Sequence, residues 1–461
     1  MSNAPTGGRE GSLEAPTRHP IDWRNPQFYD EAALRQELER VFDICHGCRR
    51  CFSLCQSFPT LFDAIDATAT GELAAVDPKA YWEVVDHCYL CDMCFMTKCP
   101  YVPPHPWAVD FPHLMLRAKA SRAAERGFSL RDRVLASTEA VGRIAGIPVV
   151  AEVVNGLNRF KPARALLEKT LGVAHDAPLP EFHARTARSR LAALNGPLEA
   201  AAGPVPAARE ELRGRVALFT TCYGNRNEPD LATDLVAVLN HNDIPVRLVP
   251  QERCCGMPRL ELGDLKTVAA YKEENIPQLR AVIAAGYDIV APIPSCVLMF
   301  KQELPLMFPE DADVQAVAAR IYDPFEYLML RHKAGQLKTE FKRSLGKVSY
   351  HVPCHLRVQN IGLKTRDLLR LVPDTTVDVI ERCSGHDGTY AVKREFRAAS
   401  VKIGRSVATR VHNAAPAYYT SDCPMAGHQI ESLLPAETPA GSADEAHPVH
   451  PLKLLRLAYG I

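Results

Sequence analysis

Eight of the fifteen cysteines stand in two short runs, Cys45, Cys48, Cys51 and Cys55 in CHGCRRCFSLC and Cys88, Cys91, Cys94 and Cys99 in CYLCDMCFMTKCP. Thiolates spaced Cys-x2-Cys-x2-Cys converge on one face of an iron-sulfur cluster. When a chain holds two such clusters, the remote fourth thiolate of each run reaches across to the other. The spacing predicts two [4Fe-4S] clusters, one held by Cys45, Cys48, Cys51 and Cys99, the other by Cys88, Cys91, Cys94 and Cys55. Their chemistry is the passage of single electrons. Zinc sites draw four ligands from two pairs, which is a different pattern. A disulfide framework belongs to an oxidising compartment, and no secretory leader is legible at the N-terminus. Two departures from the regular pattern stand out. Cys55 is followed by Gln56, with the first proline delayed to Pro59, whereas Cys99 precedes Pro100; and four residues, ending in Lys98, separate Cys94 from Cys99 where three are usual.

The remaining seven cysteines follow another rhythm. Past residue 210, short β-branched runs (VALFTTC, IPVRLVPQERCCG, DIVAPIPSC) alternate with helical runs (PDLATDLVAVLNH, LKTVAAYKEENIPQLRAVIAAG, VLMFKQEL), the pattern of a parallel α/β unit. The order then recurs, with VSYHVPC, VDVIERCSG and PAYYTSDCPMA between TRDLLRL, YAVKREFRAASVKIGRSVATRV and GHQIESLL. Cys222 lies 132 positions before Cys354, Cys254 lies 129 before Cys383, and Cys296 lies 130 before Ala426, which marks a duplication. Each cysteine is expected at the C-terminal end of a strand, where open α/β sheets gather ligands. One half would supply Cys222, Cys254, Cys255 and Cys296 as a third ligand set, the other Cys354, Cys383 and Cys423, with His351, His355, His386 and Asp387 as supplements. Adjacent Cys254 and Cys255 disfavour a mutual disulfide, because their Cβ vectors diverge along extended backbone. Gly256 behind them permits a close approach of the chain.

These residues carry a resemblance. The stretch from Cys222 through CCG to PSCVLMFKQELP resembles the CCG domain of heterodisulfide reductase subunits. The chain from about 30 to 461 resembles the iron-sulfur subunits of anaerobic glycerol-3-phosphate dehydrogenase, and the glycolate oxidase iron-sulfur subunit and lactate-utilisation proteins are similar in layout. The resemblance implies an α+β multidomain chain: an α-helical ferredoxin domain, then a duplicated α/β cysteine-rich domain. It also implies electron exchange with a cysteine-lined site at Cys254 and Cys255, within a membrane-associated dehydrogenase complex. The match is incomplete. A full half ends in Cys-x2-Cys, but Ile293 stands where the first of that pair belongs; Ser384 replaces the second member of the CC pair, and Ala426 the last cysteine.

The elements around these motifs sort into five stretches. Residues 1–22 mix Gly, Pro, Ser and charge and are expected to lack fixed structure. In 23–125, DEAALRQELERVF places Ala33, Leu34, Leu38, Val41 and Phe42 on one helical stripe leading into the first cysteine run, and Tyr81, Trp82 and Trp107 read as packing aromatics. Residues 126–210 continue as helices into an Ala/Pro-rich linker from about 176. The two α/β repeats follow at 211–335 and 336–461.

With 461 residues and 54 acidic against 54 basic side chains, the chain has room for several domains and no net field. Nucleic acid, whose binding depends on a basic surface, is not an expected partner. No apolar run is long enough to span a bilayer. Abundant cysteine without a leader suits a reducing cytoplasm. Arg49 and Arg50, inside a cysteine loop, read equally as a docking point for an acidic redox partner and as solvated loop charges. No Gly-x-Gly-x-x-Gly opens a strand-turn-helix, so neither flavin nor nicotinamide is expected here. A partner flavoprotein dehydrogenase would handle the electron pair, and a quinone acceptor follows from the resemblance alone. The alternative is a self-contained thiol-disulfide reductase at Cys254 and Cys255; a cluster-based sensor ranks last, for want of an output domain.

Overall fold

The computed structural model describes residues 16–97, 99–199, 209–435 and 448–461; Lys98 and the expectation made for residues 1–15 lie outside them. The chain divides into two compact units, one running to Gly127 together with Glu261–Gly263, the other comprising Phe128–Leu260 and Asp264–Ile461.

Helices Glu31–Cys48, Ser57–Asp66, Tyr81–His87, Met93–Thr97 and Phe111–Arg126 build the first unit. Asp30 starts the first of them by accepting the Ala33 N–H at 2.7 Å, satisfying one of the free amides of a helix N-terminus. Leu34, Leu38, Val41 and Phe42 are buried on its inner stripe, as their spacing requires, whereas Ala33, expected with them, stands exposed one turn from the cap. Phe58 and Phe111 meet at 4.7 Å between ring centroids, and Phe42 lies edge-on to Tyr81 at 5.3 Å. Trp107 leans on Tyr101 at 4.7 Å, and Arg122 covers the Trp82 ring. The first helix ends at Cys48, where Arg49 turns left-handed with φ 54° and its N–H donates to Cys45 O at 2.8 Å. That turn releases the chain toward Cys51.

The expectation for residues 1–22 needs correction from Arg18 onward. The Arg18 guanidinium grips the Asp92 carboxylate at 2.6 and 2.9 Å and the Asp110 carboxylate at 3.1 Å, while Ile21 and Trp23 are buried. Asp92 lies inside the second cysteine run, and Asp110 caps helix Phe111–Arg126 by accepting the His113 N–H. A planar fork between two acids orders a stretch whose composition alone reads as loose.

The second unit holds two parallel sheets. Strands β1 (Val216–Leu218), β2 (Val246–Leu248), β3 (Asp288–Val290) and β4 (Ile321–Tyr322) lie in the order β2-β1-β3-β4. Strands β5 (Gly346–His351), β6 (Thr375–Ile380) and β7 (Tyr418–Ser421) lie in the order β6-β5-β7. In both, the first strand of the half is flanked by the second and third: Val216 pairs with Val246 and Asp288, and Val348 with Val377 and Tyr418. The shared order agrees with the duplication read from the cysteine intervals, with β4 added; two residues are too few to carry a periodic signal. Crossover helices such as Pro229–His241, Leu265–Ala284 and Arg394–Ala414 separate the strands, as parallel pairing demands.

The stretch expected as a linker is anchored over its described part, 176–199. Arg397 donates to Asp176 at 3.1 Å, Asn227 to Glu181 O at 2.7 Å, and Arg188 to both Val249 O and Glu252 at 2.9 Å. Among the described residues no single helix is long and apolar enough to cross a membrane.

Candidate functional site

In the first unit the cysteines of the two runs fall within electrostatic reach of one another. Burial pushes the Cys45 thiol well up, and Cys51, Cys99 and Cys48 add to it in that order. The thiol of Cys55 is pushed up to about 12 by burial and then by Cys88. Each remote cysteine therefore lies in the electrostatic reach of the other run. Both sulfurs sit in the same cradle: Cys55 accepts amide hydrogen bonds from Ser57 and Phe58, and Cys99 from Tyr101 and Val102, the second and third residues onward in each case. Gln56 in place of proline leaves that cradle intact. The longer span from Cys94 to Cys99 is closed by Cys99 N–H donating to Cys94 O at 2.9 Å.

Arg49 forms a two-point ion pair with Asp66, at 2.8 Å on one oxygen, so its charge is answered within the chain.

In the second unit, the cysteines sit just beyond the strand ends, on the turns and helix starts that follow, rather than on the strands themselves. Cys222 and Cys354 open the helices Cys222–Arg226 and Cys354–Arg357, and Cys296 lies in Pro294–Leu298. Thr221 precedes Cys222 with φ 65°, an uncommon conformation for a β-branched residue, held because its hydroxyl accepts the Gly224 N–H at 3.0 Å.

The first half brings its four thiols into one chain of contacts. Cys222 Sγ donates to Cys254 Sγ at 3.8 Å, and Cys255 bonds to both Cys254 and Cys296. Donation from Cys222 and Cys255 holds Cys254 well below the ordinary thiol range against its burial, with Gly256 N–H helping. The same bonds push Cys222 and Cys255 up, and burial adds to this. Helix Thr138–Ala145 supplies partners that no sequence signal flags. Thr138 Oγ1 lies 3.3 Å from Cys222 Sγ and 3.7 Å from Cys254 Sγ, while Glu139 accepts the Cys254 N–H at 3.0 Å. Beside Cys222 opens a cleft of about 350 Å³ lined by Arg143, Arg188, Arg226, Arg253 and three glutamates.

The second half gathers its cysteines around a carboxylate. Cys354 Sγ and Cys383 Sγ donate to the two oxygens of Asp387 at 3.3 and 3.2 Å. The Cys423 thiol, pushed up to about 12 by burial, also feels Asp387 and accepts the Ala426 and Met425 amides. Of the supplementary ligands proposed, Asp387 thus lies against two of the three thiols. His351 does not: its ring nitrogens go to Ser421 Oγ at 3.0 Å and Arg382 O at 2.9 Å. His355 Nδ1 meets Ser295 Oγ at 3.0 Å, next to Cys296 in the other half. The Nε2 atoms of His355 and His386 are buried without a hydrogen-bond partner among the described residues.

The profile of the Cysteine-rich domain family, CCG, matches residues 216–301 and again 348–431, framing the two halves. This chain carries two CCG domains. Among curated proteins it is similar to a subunit of the anaerobic glycerol-3-phosphate dehydrogenase of Escherichia coli (strain K12), 29% identical over 329 residues, or 71% of this chain and 78% of that one. Lactate utilization protein A of Bacillus pumilus is 29% identical over 188 residues, 39% of this chain and 75% of the other. A subunit of the fumarate reductase (CoM/CoB) of Methanothermobacter marburgensis is 26% identical over 250 residues, 53% of this chain and 46% of that longer one. The resemblance read from the CCG string and its flanks is borne out.

Among the described residues no three His, Cys, Asp or Glu side chains close on a single metal ion, so fit is judged from donor chemistry. The first unit and the first CCG domain offer thiols only, several already receiving N–H bonds, which suits an iron-sulfur cluster. The second CCG domain offers three thiols and a carboxylate, a harder and more mixed set.

Proposed function

We propose that this chain is the iron-sulfur electron-transfer subunit of a dehydrogenase complex. Cys45, Cys48, Cys51 and Cys99 would hold one [4Fe-4S] cluster, and Cys88, Cys91, Cys94 and Cys55 a second. Cys222, Cys254, Cys255 and Cys296 of the first CCG domain form a further ligand set. Bound clusters supply one-electron steps, so a flavoprotein partner pairs or splits the electrons, and a quinone is the acceptor we favour. The E. coli and Methanothermobacter relatives, named as subunits of a dehydrogenase and of a reductase, support a role within a complex. Through such a complex the chain would sit peripherally on the cytoplasmic face of a membrane.

The observation that supports this reading is that each remote cysteine lies within electrostatic reach of the other run, Cys99 of Cys45 and Cys55 of Cys88. The protein's own contribution is to keep these thiols buried, to direct amide N–H groups at the remote sulfurs, and to order the second run through Arg18. Anaerobic purification with iron and sulfide counts and paramagnetic resonance tests it. Two cubanes account for about 8 irons per chain. Cys48→Ser should remove one of the two N-terminal signals and leave the second unit folded; an unchanged iron count would refute the assignment.

A second reading is favoured by one feature, the depressed thiol of Cys254 lying 3.8 Å from Cys222 beside an open cleft. That arrangement is competent for thiol-disulfide exchange. Disulfide reduction by the purified chain with a chemical reductant, and no flavoprotein, would select it.

A further inference from the structure

Exposed apolar side chains concentrate in one stretch of this protein. Of the twelve large ones that stand exposed among the described residues, nine fall between positions 130 and 166. Helix Val150–Arg159 and its flanks place Val149, Val153, Leu157 and Phe160 three or four positions apart, a single outward stripe, while Ala151 on the opposite face is buried. The preceding helix, Thr138–Ala145, buries Gly142 and Ala145 and turns Ile144 outward. The two helices meet at 108°, and together they reach the apolarity and length of a membrane-spanning segment while being too sharply bent to be one helix. At the corner Val149 is held at φ 72°, costly for a β-branched residue, and the residue is 68% exposed. Nothing in the packing explains why the corner should present Ile147 and Val149 to solvent.

We propose that this bent pair is an interfacial membrane-docking face, its corner and stripe set into the acyl boundary of an anionic lipid surface. Two observations choose lipid over protein. The stripe is aliphatic with one phenylalanine and lacks the Tyr, Trp and Met that mark the centres of protein interfaces. The exposed charges between 130 and 170 are Arg133, Arg143, Arg159, Lys161 and Lys169 against Glu152 alone, though Arg143 and Arg159 also reach Glu139 and Glu181. A basic rim around an apolar face is the composition of helices that lie in the headgroup region. The inference rests on the peripheral-membrane part of the proposed function and makes it specific, assigning the contact to this chain itself. Its consequence is positional. The helix that ends at the corner begins with Thr138 on the Cys222 and Cys254 sulfurs and Glu139 on the Cys254 backbone N–H, so docking would hold that thiol site within one helix length of the lipid, where an apolar electron acceptor resides.

The test is sedimentation of the full, anaerobically purified chain with vesicles of equimolar phosphatidylglycerol and phosphatidylcholine. The wild type should co-sediment, and the double variant Val149→Asp, Leu157→Glu should lose at least about tenfold in bound fraction with iron content and far-UV circular dichroism unchanged. Phe160→Trp in the otherwise intact chain should show a blue-shifted emission when vesicles are added. Wild-type protein that stays in solution, a double variant that binds equally, or binding that appears only when a flavoprotein partner is supplied would each overturn the proposal. The iron count on the same samples reports separately on the electron-transfer reading.

Discussion

The two CCG domains share one strand order and one cysteine frame, yet they finish their thiol shells differently. In the first, Cys222 Sγ meets Cys254 Sγ at 3.8 Å, and Cys255 interacts with both Cys254 and Cys296. In the second, Ser384 stands where Cys255 stands in its counterpart, and the protons of Cys354 and Cys383 go to Asp387 instead. The backbone template is retained while the donor set is exchanged. A fold of this kind specifies where ligands gather, and single residues then decide what they can hold.

The comparison breaks most sharply on the cysteine pair. If the proposed function holds, Cys255→Ala should abolish electron transfer with the proposed flavoprotein and remove any iron in excess of the two proposed N-terminal clusters, whereas Cys383→Ala should leave both largely intact. Iron counts on the two variants decide it; equal losses would erase the distinction. The glycines behind the pairs come next. A Cβ on Gly385, at φ 75°, would lie 2.3 Å from Ser400 O, while one on Gly256, at φ 101°, meets only the side chains of Val268 and Met299 at 3.6 Å and beyond. Gly385→Ala should cost about 2–4 kcal/mol of unfolding free energy and Gly256→Ala about 1–2, measured by denaturant titration. Ser384→Cys should sharpen the contrast by restoring a pair in the second half, seen as a gain of iron over wild type in anaerobic preparations.

The smallest effect concerns one of the contacts that join the halves. Burial lowers the affinity of His428 for a proton, but Glu228 from the first half at 2.7 Å and Glu431 at 3.3 Å outweigh it and push the imidazole up to about 9. A histidine whose folded value is raised stabilises fully below its unfolded value, about 6.5, and loses that contribution as pH climbs through about 9. The thermal midpoint of wild type should exceed that of Glu228→Gln at pH 6 and converge with it by pH 10. A pH-independent gap would assign the contact to packing.

What the sequence reveals follows from how each signal is encoded. Cysteine spacing is a local code, so the two N-terminal runs and the CC pair are legible outright. The duplication is legible because cysteines recur at nearly constant intervals. Thr138 and Glu139 are not, since they reach Cys222 and Cys254 from over 80 positions away through packing that has no period. Arg18 escapes for the same reason: one charged fork orders a stretch that composition places among loose tails. The short β4 escapes because a two-residue strand has no alternation to read.

Ser295 adjoins Cys296, His355 adjoins Cys354, and the 3.0 Å bond between those two neighbours spans the halves. Gln359, one turn on, adds a second strut by donating to Pro294 O. The helix starts that carry Cys296 and Cys354 are thereby tied to each other by two hydrogen bonds, so a displacement of one would be felt first at the other.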